Sequence, residues 1–252
     1  MSSCINSENI LFQLENVSYS YDGYAAALDE INMAVRAGEK VALLGSNGSG
    51  KSTLLKILDG LYFPTSGKVS AFGQELSEEI FRKDSFNFAF HSRVGLVFQD
   101  SDAQLFMPSV LDEVAFAPLQ LDISKEDVRS RVEEALRALH IEALRARAPH
   151  QLSSGEKKKV ALASLLTLAP EVWLFDEPSA GLDPRSVAWL TDFINTQGEE
   201  GKTVILATHD LDLVRSVADR VTLIGENHQI AAEGSVQQVL ADRGLLLKEN
   251  LI

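Results

Sequence analysis

A glycine-rich segment followed by lysine and serine carries the most specific chemistry in this sequence. Residues 45–52 fit the pattern G-x-x-x-x-G-K-[ST], between an apolar run (41–44) and a segment that can form a helix (53–58). Glycines let backbone N–H groups curl around phosphate oxygens, and the helix N-terminus adds positive potential. Lys51 would neutralise the β- and γ-phosphates of a nucleotide, and Ser52 would offer its hydroxyl to Mg²⁺. A turn that binds nothing would not need this order of elements. The predicted phosphate-binding residues are Gly45, Ser46, Asn47, Gly48, Ser49, Gly50, Lys51, Ser52 and Thr53.

Two adjacent carboxylates end another apolar run, 172–175. At the end of a strand in a parallel sheet, both side chains can reach the crevice where a nucleotide binds. Asp176 can then hold Mg²⁺ through a water molecule. Glu177 can orient and deprotonate the attacking water, a contribution of about 10² to 10⁴ in rate. Asp-Glu-Pro alone could simply end a strand, but beside a phosphate-binding loop it predicts nucleotide hydrolysis.

The segment 152–156 has the composition of a helix start. Ser153 with Glu156 three residues later forms a capping box, which predicts a helix over 157–168. An exposed helix N-terminus is suited to contact a γ-phosphate. The two interpretations, structural cap and phosphate contact, are compatible.

The same segment, Leu-Ser-Ser-Gly-Glu, resembles the signature sequence LSGGQ of the ABC (ATP-binding cassette) ATPases. In that family the signature meets the γ-phosphate across a dimer interface, which implies this role for Ser153, Ser154, Gly155 and Glu156. Two residues depart from the signature. Ser154 replaces a glycine and can still offer its hydroxyl if its backbone needs no positive φ. Glu156 replaces glutamine, and we expect it to point away from the triphosphate and cap its own helix.

The resemblance extends from about residue 10 to residue 240. It implies that Tyr21 stacks on adenine, that Gln99 senses Mg²⁺ and the membrane partner, and that His209 contacts the γ-phosphate. A lone histidine at a strand end would more often be structural. The D-loop, which crosses to the other subunit, corresponds to Ser179, Ala180, Gly181, Leu182 and Asp183. The implied roles are catalysis for Glu177, His209 and Lys51, and magnesium binding for Ser52, Gln99 and Asp176, with ATP as the nucleotide.

Hydrophobic periodicity predicts the elements that position these residues. Residues 12–19 and 28–35 alternate apolar and polar side chains around the turn-like Tyr21-Asp22-Gly23, which predicts an antiparallel pair of strands. The unbroken apolar runs 41–44, 172–175 and 204–207 predict parallel strands buried on both faces. Helical spacing between about 101 and 149 predicts a small helical insert, with Ser124 capping a helix that buries Val128, Val132, Leu136 and Leu139.

Together these patterns and the resemblance predict an α/β fold. We expect a P-loop NTPase core with a mixed, mainly parallel sheet, an N-terminal antiparallel β subdomain and an α-helical subdomain. The expected boundaries are one ABC ATPase domain over 10–240, with 10–100 and 158–240 as core, 101–157 as the helical signature subdomain and 241–252 as a short C-terminal tail.

Two further segments gave local predictions without a function. The alternating aromatic residues of 86–90 predict an extra strand or an apolar flap. The run Lys157-Lys158-Lys159 predicts a solvated helix face.

The composition and charge of the chain exclude some classes of binding partner. With 252 residues the chain can form one large α/β domain, and its formal net charge of −13 disfavours nucleic acid and anionic lipid surfaces. The single cysteine, Cys4, allows no internal disulfide, which fits a reducing compartment. The longest apolar stretch, 160–169, is about half of what spans a bilayer. The first residues lack a basic start followed by an apolar run, so we expect no secretion signal. Together with the family resemblance, these features imply a protein at the cytoplasmic face of the cell membrane that acts through a separate integral membrane subunit.

Residues after Gln99 refine the resemblance. Residues 99–106 and 109–116 are similar to the run Q-N-P-D-x-Q-L-F … V-x-x-D-V-A-F of the energy-coupling-factor and cobalt or nickel importers. The similarity implies ATP-driven closure of two ATPase chains, identical or paralogous, that energises import of cobalt, nickel or a vitamin. Ser101 departs from the usual proline, and Leu105 and Phe106 could instead be packing residues of the helical insert.

Other functions remain to be compared with this one. A soluble ABC ATPase serving cofactor assembly fits the same motifs. A DNA-maintenance ATPase would need a long coiled coil between Lys51 and Leu152 or a basic face, and the sequence has neither. A regulator without turnover should lack Glu177 or His209, and both are present.

Overall fold

An antiparallel sheet opens the chain. The computed structural model describes residues 9–21 and 26–252, so Cys4, Asp22 and Gly23 lie outside the described residues. The sheet has the order β2-β1-β4-β5 and consists of β1 (Ile10–Ser20), β2 (Ala26–Arg36), β4 (Ser66–Ala71) and β5 (Gln74–Glu75). Residues 12 and 14 of β1 and residues 31, 33 and 35 of β2 are buried at alternate positions because one face of this sheet covers the core. The predicted antiparallel opening is confirmed.

The second sheet is mainly parallel and carries the candidate site at its edge. Its order is β10-β9-β3-β8-β7-β6, and only β10 runs antiparallel to its neighbour. The three predicted apolar runs lie in its central strands, which are buried because helices cover both faces. The strands are β3 (Lys40–Leu44), β6 (Val94–Val97), β7 (Val172–Asp176), β8 (Thr203–Thr208), β9 (Arg220–Ile224) and β10 (Ile230–Ser235). The predicted fold class is confirmed.

Ten α-helices surround the two sheets in the described ranges. Several begin where a serine or aspartate side chain accepts a hydrogen bond from a first-turn N–H, as Ser109, Ser124 and Asp210 do. The helices are α1 (Lys51–Leu58), α2 (Glu78–Phe81), α3 (Asp84–His91), α4 (Val110–Phe116), α5 (Lys125–Ala138), α6 (Ser154–Leu166), α7 (Pro184–Glu199), α8 (Leu211–Val217), α9 (Val236–Ala241) and α10 (Arg243–Lys248). Within the described ranges, none of them combines the length and the apolar character that crossing a bilayer requires.

The helical insert is continuous with the core. The apolar faces of α4, α5 and α6 bury Val114, Val132 and Leu162 in the same cluster as Trp173 of β7. Because α6 is one helix, it crosses the boundary that the sequence suggested between 157 and 158. The segment 241–252 contains α10, whose Leu246 is buried against the core.

The aromatic segment 86–90 is helical, so the strand predicted there is wrong. In α3, Phe86 and Phe90 lie one turn apart and stack with ring centroids 6.0 Å apart. Both rings also pack edge-on against Phe81 of α2, at 5.1 and 5.0 Å. Phe88 projects from another side of the helix and is exposed. Contacts with α2 decide the conformation here, and a spacing of two residues could not reveal them.

A buried carboxylic acid lies at the end of α1. Asp59 is the C-cap residue of α1, and its Oδ1 makes no hydrogen bond to the described residues. The His91 Nε2 atom is 3.8 Å from Oδ2, beyond hydrogen-bond distance. Burial away from water raises the pKa of Asp59 well above its ordinary value of 3.8.

The raised pKa predicts a pH-dependent stability. At pH values between the ordinary and the raised pKa, Asp59 is protonated in the folded chain but ionised in the unfolded chain. The free energy of unfolding therefore falls as the pH rises above about 4. Asp59→Asn removes this dependence. Relative to wild type, its free energy of unfolding should therefore increase by up to about 1.4 kcal/mol per pH unit over that interval. Urea denaturation between about pH 4 and pH 8 measures the difference, and a constant difference would contradict the assignment.

Candidate functional site

The glycine-rich loop connects the end of β3 to the start of α1. Gly50 caps α1 with a φ of 110°, and a Cβ atom there would lie 2.3 Å from the carbonyl oxygen of Ala27. Only glycine fits both the conformation and the close approach. Behind the loop, the His228 Nδ1 atom lies 3.2 Å from the carbonyl oxygen of Ser49. The loop is thus closely packed on its protein side, and its other side faces a cleft.

Lys51 places its ammonium group across the mouth of this loop. The side chain is buried, and Nζ donates hydrogen bonds to the carbonyl oxygens of Gly45 (2.9 Å) and Ser46 (3.0 Å). The same Nζ lies 3.5 Å from Oε1 of Glu177. A cation held in this position supplies the charge that a polyphosphate needs.

Two side-chain oxygen atoms that could bind a metal ion lie next to each other beside Lys51. The Ser52 hydroxyl donates a 2.7 Å hydrogen bond to Oδ1 of Asp176, so the start of α1 and the end of β7 are in direct contact. Burial raises the pKa of Asp176, and the hydrogen bond from Ser52 opposes that rise. Hard cations such as Mg²⁺ prefer oxygen ligands and are usually bound by one or two protein side chains together with substrate phosphates. The donor set fits that mode.

Glu177 adopts an unusual backbone conformation. Its φ is 40°, in the left-handed region, which costs about 1–3 kcal/mol for a residue with a Cβ atom. Its N–H donates to the carbonyl of Ala207 (2.9 Å), and its Oε2 accepts a hydrogen bond from the Thr208 hydroxyl (3.2 Å). Oε1 lies 3.0 Å from Nδ1 of His209. The end of β8 therefore holds the carboxylate in place.

Lys51, Ser52, Glu177 and His209 line one cleft of about 390 Å³, a volume in the usual range for small-ligand sites. Asp176 does not line this cleft itself but is hydrogen-bonded to Ser52. Gln99, after β6, reaches the same cleft. At its edge, the Tyr21 hydroxyl lies 2.8 Å from the hydroxyl of Thr53, and the Tyr21 ring packs edge-on against Tyr62. The lining residues are Tyr21, Ala27, Asn47, Gly48, Gly50, Lys51, Ser52, Thr53, Gln99, Glu177 and His209.

The segment 153–156 opens α6 as the capping box predicts. The Ser153 Oγ atom accepts from the N–H of Glu156 (3.3 Å), and Oε2 of Glu156 accepts from the N–H of Ser153 (2.8 Å). The hydrogen bonds that the carboxylate accepts from the N–H and the hydroxyl of Ser153 lower the pKa of Glu156 and hold its carboxylate against its own helix. Ser154 lies in the first turn of α6 and has no positive φ.

Residues 153–156 do not line the Lys51 cleft of their own chain. Ser154 instead lines a smaller depression of about 180 Å³, which it shares with Gln99 and with residues 180–182. Its hydroxyl lies 3.4 Å from the carbonyl oxygen of Gly181. The structure therefore brings together the phosphate loop, the two carboxylates, Gln99 and His209, and leaves the α6 N-terminus outside their cleft.

The segment 179–183 links β7 to α7. The Ser179 hydroxyl is 3.4 Å from Oδ2 of Asp210, at the start of α8. Asp183 caps α7, and its hydrogen bonds with Ser186 lower the pKa of its carboxyl.

The three consecutive lysines are not a solvated face, so that prediction is wrong. Lys158 is 2% exposed, and its Nζ donates to the carbonyl oxygens of Phe98 (2.8 Å) and Gln99 (3.0 Å). Burial lowers its pKa to about 8. One signal could have revealed this: position 158 shares a helix face with Leu162, which is buried.

The sequence is similar to known proteins over nearly its whole length. Residues 28–180 match the family described as ABC transporter. A putative ABC transporter ATP-binding protein of Methanosarcina acetivorans is 49% identical over 96% of this chain and 89% of that protein. The nickel import ATP-binding protein NikO of Rhodobacter capsulatus is 47% identical over 96% of this chain and 95% of its own length.

Solved structures share the fold. The structure of cbiO1 from Clostridium perfringens, described as part of the ABC transporter complex cbiONQ, superposes with a TM-score of 0.82 at 36% identity, covering 97% of this chain and 96% of that chain. The ATP-binding cassette MJ0796, a dimer in a post-hydrolysis state with ADP and Pi, gives a TM-score of 0.79 at 28% identity, covering 90% of this chain and 99% of that chain.

Proposed function

The chain belongs to the ABC transporter family and is an ATP-binding ATPase subunit, and from this premise we propose that it powers a multi-subunit membrane importer as part of an ATPase dimer. The observation that carries the proposal is the convergence of Lys51, Ser52, Glu177 and His209 on one cleft, with Asp176 hydrogen-bonded to Ser52. Each of these side chains has a distinct task in hydrolysing a nucleoside triphosphate.

Binding of the triphosphate depends on the loop and on Lys51. Backbone N–H groups of residues 45–52 and the N-terminus of α1 cradle the phosphates. When the triphosphate binds, the Lys51 ammonium group donates hydrogen bonds to phosphate oxygens in place of the carbonyl oxygens of Gly45 and Ser46. Tyr21, exposed at the edge of the cleft, offers its ring to adenine.

Ser52, Asp176 and Gln99 are the residues that would hold magnesium. The contact between the Ser52 hydroxyl and Asp176 is the observation that fits this role. When bound with ATP, the ion would supply positive charge against the β- and γ-phosphates.

Glu177 orients and deprotonates the attacking water. The Thr208 hydroxyl donates to the carboxylate, and the Glu177 N–H donates to the Ala207 carbonyl, which holds the strained backbone that aims the side chain into the cleft. His209, half-exposed beside it, is free to turn towards the γ-phosphate.

A second chain completes each site. Because the N-terminus of α6 lies outside the Lys51 cleft of its own chain, Ser153, Ser154 and Gly155 can reach a γ-phosphate only on another copy. The dimeric state of MJ0796 supports this arrangement. Identical chains would form two equivalent sites, with residues 179–183 crossing between them. The dimer closes around ATP and opens after hydrolysis, and this movement drives the transporter.

The helical insert carries the surface suited to a membrane subunit. Phe106 is 66% exposed and packs edge-on against the partly exposed Phe116, with ring centroids 5.1 Å apart, and Leu119 is also exposed. Oε2 of the buried Glu113 accepts hydrogen bonds from the N–H groups of Phe106 and Met107, both at 2.8 Å, which fixes this turn. A rigid apolar turn near Gln99 can transmit dimer closure to a partner. The proposed location is therefore the cytoplasmic face of the membrane.

The proposed cargo is nickel, as the name of NikO states for that protein, or else cobalt or a vitamin.

Co-purification tests this function. A tagged chain, extracted with detergent from membranes of the source cells, should bring down an integral membrane protein. Phe106→Ser should lose that partner while its ATPase rate stays at the wild-type value. Leu247 is a similarly exposed apolar residue on α10, so Leu247→Ser is the matched control and should keep the partner.

The cargo is then identified with the purified complex in proteoliposomes, as ATP-dependent uptake of nickel, cobalt or a vitamin. Recovery of wild type only in soluble complexes would favour a cofactor-assembly ATPase and contradict the importer.

A further inference from the structure

A buried lysine connects two parts of the nucleotide machinery that are far apart in sequence. Lys158 lies on α6, one turn after Ser154. Its ammonium group is held by the carbonyl oxygens of Phe98 and Gln99 at 2.8 and 3.0 Å. Gln99 belongs to the cleft of its own chain, whereas the N-terminus of α6 lies outside that cleft.

The contact is costly enough to need an explanation. Burying an ammonium group is unfavourable unless its hydrogen bonds are satisfied, and an apolar side chain on this face of α6 would avoid that cost. The partners of Lys158 are main-chain carbonyl groups, so it fixes the backbone of the Gln99 segment rather than one side chain. A lysine in this position specifies geometry more than it adds stability.

Two neighbouring contacts strengthen the same connection. Lys157 forms an ion pair with Asp102 at 2.6 Å, which ties the first turn of α6 to the segment that follows Gln99. The Ser154 hydroxyl lies 3.4 Å from the Gly181 carbonyl oxygen. Residues of three segments, 99–102, 154–158 and 180–182, therefore meet around one small depression.

We propose that Lys158 is a positioning residue that makes the Gln99 segment and the N-terminus of α6 move as one unit. The proposal rests on the shared sites of the proposed dimer. There, Gln99 contacts the nucleotide bound by its own chain, and α6 of the same chain contacts the nucleotide bound by the other. A displacement of Gln99 at one site is then passed to the second site through the two hydrogen bonds of Lys158. ATP binding at one site thereby changes the affinity of the other.

The test compares Lys158→Met with Lys158→Arg in the full-length dimer. Methionine fills a similar volume but donates no hydrogen bond, whereas arginine can still donate to both carbonyl groups. Lys159→Met is the matched control, because its ammonium lies over the Trp189 ring, 4.8 Å from the centroid, and not on the Gln99 segment. ATPase rates are measured over a range of ATP concentrations, and nucleotide binding is measured separately.

Wild type should show a Hill coefficient clearly above 1, with an upper limit of about 2 for two sites. Lys158→Met should lower it to about 1, while ATP affinity at a single site changes less than about threefold. Lys158→Arg and Lys159→Met should keep the wild-type coefficient. A Lys158→Met enzyme that loses rate or stability but keeps the coefficient would overturn the proposal.

If Lys158→Met does not fold, Lys157→Met weakens the same connection at a partly exposed position and should lower the Hill coefficient part of the way. An unchanged coefficient in that variant would overturn the proposal. A wild-type coefficient of 1 with normal hydrolysis would also overturn it. Absence of hydrolysis in wild type would instead contradict the proposed function, so the two failures are distinguishable.

Discussion

Replacing Glu177 with glutamine is expected to reduce ATP hydrolysis about 10²- to 10⁴-fold while leaving ATP affinity nearly unchanged. Glutamine keeps the size of the side chain and can still contact Thr208, but it cannot accept a proton from water. The neutral amide of glutamine replaces the carboxylate that lies 3.5 Å from the Lys51 ammonium group. Lys51 then has no competing anion and remains available to bind phosphate. The closed dimer, which hydrolysis normally opens, should persist.

Single-turnover hydrolysis and equilibrium nucleotide binding separate these effects. Gel filtration with ATP should show the Glu177→Gln variant as a stable dimer. Glu199→Gln, an exposed change at the end of α7, is the control and should hydrolyse ATP at the wild-type rate. Rapid hydrolysis by Glu177→Gln would remove this carboxylate from its proposed role.

Lys51→Met should have the largest effect on binding. The ammonium group is expected to make charged hydrogen bonds to the β- and γ-phosphates, and losing about 3 kcal/mol of such contacts weakens ATP affinity about 10²-fold. Isothermal titration with ATP and magnesium measures this loss. An affinity within about twofold of wild type would show that Lys51 does not contact the phosphates.

The same variant should also be less stable without nucleotide. Lys51 is the cation beside the buried carboxylate of Glu177, and removing one partner of a buried ion pair costs about 3 kcal/mol or more. The double variant Lys51→Met, Glu177→Gln should recover most of this stability without recovering ATP affinity. Thermal denaturation of the two variants separates the structural role of Lys51 from its role in binding.

Local sequence patterns were sufficient to predict most of the candidate cleft. The loop 45–52 lies between a strand and a helix whose periodicities are clear, and the capping box at Ser153 depends only on residues three positions apart. The fold class followed for the same reason, since unbroken apolar runs indicate strands buried on both faces. That these residues share one cleft follows from the parallel sheet, because the C-terminal ends of β3, β7 and β8 meet at one edge.

Features that depend on tertiary contacts were not predictable. The conformation of 86–90 is decided by Phe81, on the preceding helix α2. Lys158 looks like a surface residue until its two carbonyl partners, about 60 positions earlier, are known. The left-handed φ of Glu177 is stabilised by hydrogen bonds to the end of β8, which no local pattern reports. In each case contacts with another segment override the local preference.

A structure of the Glu177→Gln variant with ATP and magnesium tests the central claim most directly. We predict two chains with two nucleotides at their interface. Each triphosphate should lie against Lys51 of one chain and the Ser153 end of α6 of the other. Nucleotide bound at the Lys51 cleft with every α6 N-terminus remote from a γ-phosphate would contradict the account.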